Sequence, residues 1–254
     1  MTSEVIITSS SESKWERPAA PHADQVACHT RRLRMALANA FSLVPRIVTK
    51  LYSLWVSAVY PFASRGKKLS IHYSCDVRSP ELISLGNSVM VHKDVWLHGV
   101  PSPENNGQPT LVIGDTCLIG RRSHITARNS IRLGAGVIVS ASVLIQDHGH
   151  AYDDITLPIR LQGIAKGGRV RIEEGCWIGQ GAAIVCTEGE LVLGRNCVVA
   201  ANALVTRSAP PYSVLSGNPA RVVKQYDLVK RTWVLGSAPT RRDDGDHITA
   251  AASK

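Results

Sequence analysis

From Leu85 onward an aliphatic residue recurs at every sixth position and is followed by a small or polar one. The series runs LGNSVM, VHKDVW and LHGV, then, after a gap, IGDTCL, IGRRSH and ITARNS. It resumes as LGAGVI, VSASVL and IQDHGH, and later as IEEGCW, IGQGAA, LGRNCV and VAANAL. The fifth position of each unit is small or β-branched: Val89, Val95, Cys117, Ser123, Val137, Val143, Cys176, Ala182, Cys197 and Ala203. A period of six fits neither an amphipathic helix nor an alternating, half-buried strand. It fits a chain that makes a short strand, turns and makes the next, each strand sending one large and one small side chain inward. Three such strands close a triangular coil, and stacked coils share one aliphatic interior.

Three stretches break the period: 99–110, rich in Pro, Asn and Gly; 186–190, a slightly enlarged turn; and 147–168, DHGHAYDDITLPIRLQGIAKGG. Loops thrown from a rigid scaffold commonly carry binding groups, so the longest, with Pro158, Gly163, Gly167 and Gly168 against regular structure, is the first place to look for function. A different period governs 41–62. There Phe41, Val44, Val48, Leu51, Trp55 and Ala58 fall on one helical face, and Ser42, Arg46, Lys50, Ser53 and Ser57 on the other. Pro45, Arg46 and Lys50 argue against a membrane-spanning helix. The helix either caps the open end of the coil stack, the preferred reading, or joins Arg31, Arg32 and Arg34 in lying on an anionic membrane surface. The expected organisation is a flexible tail at 1–30, a helical segment at 31–68, the repeat domain at 69–224, and a short helix with a polar tail at 225–254.

Composition sharpens this in three ways. The chain has only two Phe, so its core is built from branched aliphatics, as many similar strands require. A formal charge of +9 calls for an anionic partner, but the cations form no long block, which speaks against nucleic acid. Cys117, Cys176 and Cys197 occupy the small inward position, and Cys28, Cys75 and Cys186 show no metal-ligand spacing. With no basic start or continuous apolar run in the opening residues, no secretory signal is expected. A reduced, cytoplasmic protein is expected, at the inner face of a membrane if the helix lies there.

The hexads, the extended loop after IQDHGH, the following VRIEEGCWIGQGAAI and the closing VVAANALVTRSAPPYSVLSGNPARVVK together resemble the hexapeptide-repeat acyltransferases. The resemblance covers roughly residues 69–226 and is strongest toward the surface-polysaccharide and maltose-type O-acetyltransferases. It implies an all-β, left-handed parallel β-helix, a handedness that spacing does not disclose. It also implies a homotrimer with sites between neighbouring subunits, acetyl-CoA as donor and a sugar as acceptor. N-acetylation needs the same base and stays open. His148 occupies the catalytic position, and Trp177 matches a tryptophan associated with the oxyanion in some relatives, or is simply an outward ring.

Acetyl transfer from a thioester to a hydroxyl needs a base, because an alcohol is a poor nucleophile until its proton leaves, and an imidazole suits that task. It also needs donors for the oxyanion. His150 and His124, with Asp147, Asp153 and Asp154, are the candidate acceptor-binding residues; the acids serve otherwise to orient an imidazole, or are solvated loop acids. The His-x-His pair also invites a metal reading, since zinc-dependent carbonic anhydrases share the fold, but no metal is expected. A noncatalytic scaffold would require neither the histidine nor the long loop. Small residues around Gln180, Gly179 among them, let a pantetheine arm approach the backbone. By resemblance Gln180, Ala201, Thr206 and Arg207 line that arm and the nucleotide end, and Arg221 and Lys224 stand near the coenzyme's phosphates. The sequence departs from the family at AANA (200–203) and at Gln180 itself, positions that bear on acyl length.

Overall fold

The structure, a computed structural model, describes residues 22–102 and 106–235. Contacts divide the chain at Arg46. The described part of the first unit is the N-terminal portion of one helix, α1 (His22–Val59); the second holds the rest of α1 and all of the β-structure. The first coil is β1 (Ser64–Arg65), β2 (Ser70–Ile71) and β3 (Asp76–Arg78), and the second β4 (Ile83–Leu85), β5 (Met90–Val91) and β6 (Trp96–Gly99). The third is β7 (Leu111–Ile113), β8 (Leu118–Ile119) and β9 (His124–Ala127), and the fourth β10 (Ser130–Leu133), β11 (Ile138–Val139) and β12 (Leu144–Gln146). The fifth is β13 (Arg169–Ile172), β14 (Trp177–Ile178) and β15 (Ala183–Val185), and the sixth β16 (Glu190–Leu193), β17 (Val198–Val199) and β18 (Leu204–Val205). Each strand pairs in parallel with its counterparts one coil away, which makes three sheets and a left-handed β-helix.

Register explains the period. Ile71, Val91, Ile119, Val139, Ile178 and Val199 stand in one column, each buried. A fully buried aliphatic side chain of this kind contributes about 1.5–3 kcal/mol. The residue before the inward fifth position takes a positive φ at corner after corner, as at Ser88, Asp94, Thr116, Arg122, Ser142, Asn196 and Asn202. The fifth-position side chains are polar only where they reach the next coil. Ser123 Oγ donates to Ser140 O at 2.9 Å, Cys117 Sγ to Gly134 O at 3.1 Å, and Cys176 Sγ to Gly194 O at 3.2 Å. Cys75, Cys117, Cys176, Cys186 and Cys197 are free and buried, and burial pushes the Cys75 thiol up to about 11.

Both ends of the stack differ from the sequence expectation. The helix begins at His22, inside the stretch expected as a tail, and residues 1–21 lie outside the described residues. The first coil begins at Ser64, ahead of residue 69, on strand residues that carry no large aliphatic to announce it. The helix packs on that coil through Thr49, Tyr52, Ser53, Val56 and Ser57, a face including the serines read as outward, while Val48, Leu51 and Trp55 are exposed. Ser53 explains the inversion. Its hydroxyl oxygen accepts the Ile71 N–H at 2.9 Å and lies 3.0 Å from the Ile71 carbonyl, satisfying the open edge of β2. An edge strand needs hydrogen-bonding partners, which an aliphatic face cannot supply. At the far end no helix follows residue 225 among the described residues. Instead β19 (Ser213–Gly217), β20 (Ala220–Asp227) and β21 (Thr232–Leu235) extend the second sheet, the last two antiparallel. The polar tail expected after them lies outside the described residues.

Candidate active site

The fourth coil ends on β12, and alternation along that strand continues past it: Ile145 points in, Gln146 out, Asp147 in, His148 out. Asp147 is wholly buried. Its Oδ1 accepts the Arg128 N–H at 2.8 Å, and its Oδ2 accepts the N–H groups of Asn129 and Ser130, both at 2.8 Å. The remaining capacity of Oδ1 goes to His148 Nδ1, also at 2.8 Å. A carboxylate is acceptor-only, so Nδ1 carries the proton and Nε2 presents a lone pair. Gln146 Nε2 donates to the His148 carbonyl at 2.7 Å and fixes the backbone beneath the ring. Asp147, expected among the acceptor-binding residues, therefore faces no acceptor; its carboxylate is spent on three amides and the imidazole.

His148, with its side chain 14% exposed, lines a cavity of about 340 Å³ on the outer face of the third sheet. His124 and His150 line it too. Trp96 and His98, which the sequence reading passed over, complete its wall. Trp96 pairs in register with His124, whose ring meets it edge-on at 5.5 Å, and His98 lies nearly parallel to the Trp96 ring at 5.7 Å. The Arg78 guanidinium sits 5.5 Å from the Trp96 ring centroid. Burial pushes the His98 imidazole below its ordinary range, helped by the positive charge of Arg78 and by His148. The missed signal was positional: Trp96 and His98 hold in the second coil the places of His124 and Thr126 in the third, but the 99–110 loop hides the offset. Among the described residues no three His, Cys, Asp or Glu side chains come together as a metal-ion ligand set.

The 147–168 loop leaves the site and returns to it as a narrow excursion. His150 bridges Ile164, and Ala165 N–H donates to Gly149 O at 2.9 Å. Asp154 is turned into the loop, where its carboxylate accepts Thr156 N–H and Oγ1–H, contacts that hold it below the usual carboxylate range. Neither Asp154 nor the exposed Asp153 lines the cavity, which corrects their assignment to the acceptor. The return runs through Gly167, at φ +74°, where a Cβ would run into the Asp147 carbonyl oxygen. Gly167→Ala is expected to lose at least about 1–3 kcal/mol from backbone strain alone; a melting temperature equal to the parent's would remove this account of the loop.

The residues assigned to the donor lie on the next coils. Gly179 and Gln180 follow β14, Ala201 follows β17, Thr206 and Arg207 follow β18, and Arg221 and Lys224 sit on β20. A Cβ on Gly179 would stand 2.6 Å from Val199 O and 2.7 Å from Ala201 N, so close stacking of coils already requires this glycine. Trp177 is half-exposed on the second sheet, its Nε1–H donating to Ser140 Oγ at 3.0 Å. It shares no sheet with His148, and within one chain the two do not meet at the cavity.

Residues 110–146 and 169–207 match the family described as hexapeptide repeat of succinyl-transferase. The match breaks at the 147–168 loop. The "Probable acetyltransferase Rv3034c" of Mycobacterium tuberculosis is 33% identical over 202 residues, covering 76% of this chain and 64% of that protein. The chain thus spans a little under two thirds of this relative's length. The "Putative lipopolysaccharide biosynthesis O-acetyl transferase WbbJ" of Escherichia coli is 23% identical over 169 residues, covering 64% of this chain and 82% of its own. Among solved structures, AntD, an N-acyltransferase from Bacillus cereus in complex with dTDP and 3-hydroxybutyryl-CoA, superposes with a TM-score of 0.58 at 21% identity, over 68% of this chain and 88% of that one. The period that sets the coils is thus the hexapeptide repeat of that family, carried by residues 110–146 and 169–207 on either side of the loop.

Proposed function

We propose that the protein transfers an acetyl group from acetyl-CoA to a sugar hydroxyl, with His148 as general base. The observation that carries this reading is the Asp147–His148 pair. A buried carboxylate, saturated by three backbone amides, fixes the tautomer of an imidazole whose other nitrogen faces a cavity. Nε2 takes the acceptor's proton as its oxygen attacks the thioester carbon. The C–S bond then breaks, and the imidazolium returns the proton to the departing sulfur, so no covalent enzyme intermediate forms. The sugar class draws on two relatives: the lipopolysaccharide O-acetyl transferase, and the N-acyltransferase AntD, whose S84C mutant is held with dTDP-4-amino-4,6-dideoxyglucose and coenzyme A.

A shared site follows from the separation of Trp177 and the donor residues from His148. If both sets serve one reaction centre, the second sheet of one subunit must face the third sheet of the next, as in a trimer. The exposed apolar residues of the 147–168 loop, Ile155, Leu157, Ile159 and Leu161, supply surface for such a neighbour. The test is acetyl transfer from acetyl-CoA, followed by free CoA thiol, over a panel of sugars, sugar nucleotides and amino sugars. The expected product is an ester, released by mild hydroxylamine. An amide on an amino sugar would replace the O-acetyl reading, and no transfer to any carbohydrate would end it.

A further inference from the structure

We propose that the outward face of α1 is a docking surface for an anionic phospholipid bilayer, on which the protein lies peripherally. The helix carries two faces with the roles reversed. The one against the first coil is small and polar, with Thr49, Ser53 and Ser57 around the buried Val56. The opposite one is apolar and uncovered: Val48, Leu51, Leu54 and Trp55 are 41%, 62%, 62% and 52% exposed. A chain that buries serines and leaves leucine and tryptophan in water incurs a hydrophobic cost that a partner removes.

Charge identifies the partner. α1 contains Arg31, Arg32, Arg34, Arg46 and Lys50 against a single acid, Asp24, and the next acid in the chain is Asp76. Lys50 is exposed beside Leu54, at one edge of the apolar arc, where a long cationic side chain places its charge among headgroup phosphates while the ring and aliphatics enter the acyl boundary. A second copy of the helix fits less well. A coiled-coil seam is a narrow stripe edged by charged positions, whereas here Ile47 and Leu54 widen the stripe, giving an apolar arc of about 140° at 3.6 residues per turn. No helix among the described residues is long and apolar enough to cross a membrane, consistent with a surface-bound arrangement.

The test uses the full chain and sedimentation with vesicles of phosphatidylcholine containing phosphatidylglycerol, against pure phosphatidylcholine. Binding is expected to the anionic vesicles, to weaken as salt shortens the screening length, and to fall at least about tenfold for Leu51→Asp/Trp55→Asp and for Arg46→Glu/Lys50→Glu. All four residues are exposed and none contributes to the Ser53–Ile71 contact, so the variants should melt with the parent; Leu51→Gln/Trp55→Gln, which adds no charge, serves as a milder second pair. Equal binding by folded variants, equal binding to neutral vesicles, or a change of oligomeric state in place of lost vesicle binding would overturn the proposal. The last outcome would assign the face to a second copy. None of these results depends on acetyl transfer.

Discussion

His148→Ala is expected to fold, assemble and bind acetyl-CoA like the parent while turnover falls by roughly two to four orders of magnitude, the usual range for a lost general base. The structure separates these effects. The imidazole makes one described hydrogen bond, to Asp147 Oδ1, and that oxygen keeps the Arg128 amide when the ring is gone. The loop backbone stays tied by Gly168 N–H to Asp147 O at 2.7 Å, so little of the fold depends on the ring. The loss should therefore appear in kcat, with KM for acetyl-CoA little changed, because the donor residues sit on later coils. His150→Ala, at the cavity wall but without a buried partner among the described contacts, should act mainly through the acceptor's KM. Steady-state rates of CoA release for the two variants distinguish the roles. A His148→Ala protein that keeps most of its turnover would remove the base from the proposed mechanism.

The coil stack was legible in the sequence because its constraint is local and repeated. Every corner needs a small inward residue after a left-handed turn residue, so Val89, Cys117, Ser123 and Cys176 announce themselves. What required pairing across distance was not legible. A short helix is expected from residue 225, and 225–227 are strand instead because β19 and β21 offer them partners. The faces of α1 were read correctly, but which one meets the scaffold depends on the scaffold. The open edge of β2 demands a hydroxyl, so Ser53 turns inward and Leu51 outward. Trp96 and His98 join His148 only once the 99–110 loop has been removed from the count and the coils are stacked. The burial of Asp147 was within reach, since the alternation that sends Ile145 inward also sends Asp147 inward. Its acidity made it read as a surface group. A buried carboxylate is tolerated here because three consecutive backbone amides replace the water it lost.

That arrangement makes Asp147→Asn the most informative substitution, since it changes almost no volume and inverts one set of hydrogen-bonding roles. The new amide has two placements. With its oxygen at the Oδ2 position it still accepts from Asn129 and Ser130, and its NH₂ then faces the Arg128 amide and His148 Nδ1. The reverse placement sets the NH₂ against two amide donors and is the poorer one. In the favoured placement Nδ1 must accept, so the imidazole proton moves to Nε2 and the lone pair that serves as base is lost. Turnover is expected to fall by about two to four orders of magnitude with the ring still in place. Stability should drop by about 1–3 kcal/mol for a buried N–H left facing a donor. A positioning role predicts one further observation that a structural role does not: ¹⁵N shifts of His148 should report protonation at Nδ1 in the parent and at Nε2 in the variant. If Asp147→Asn keeps its turnover within about tenfold of the parent, a small part of the range expected for a lost base, while the imidazole remains protonated at Nδ1, then the carboxylate does not set the tautomer and the geometry of the pair serves the fold alone.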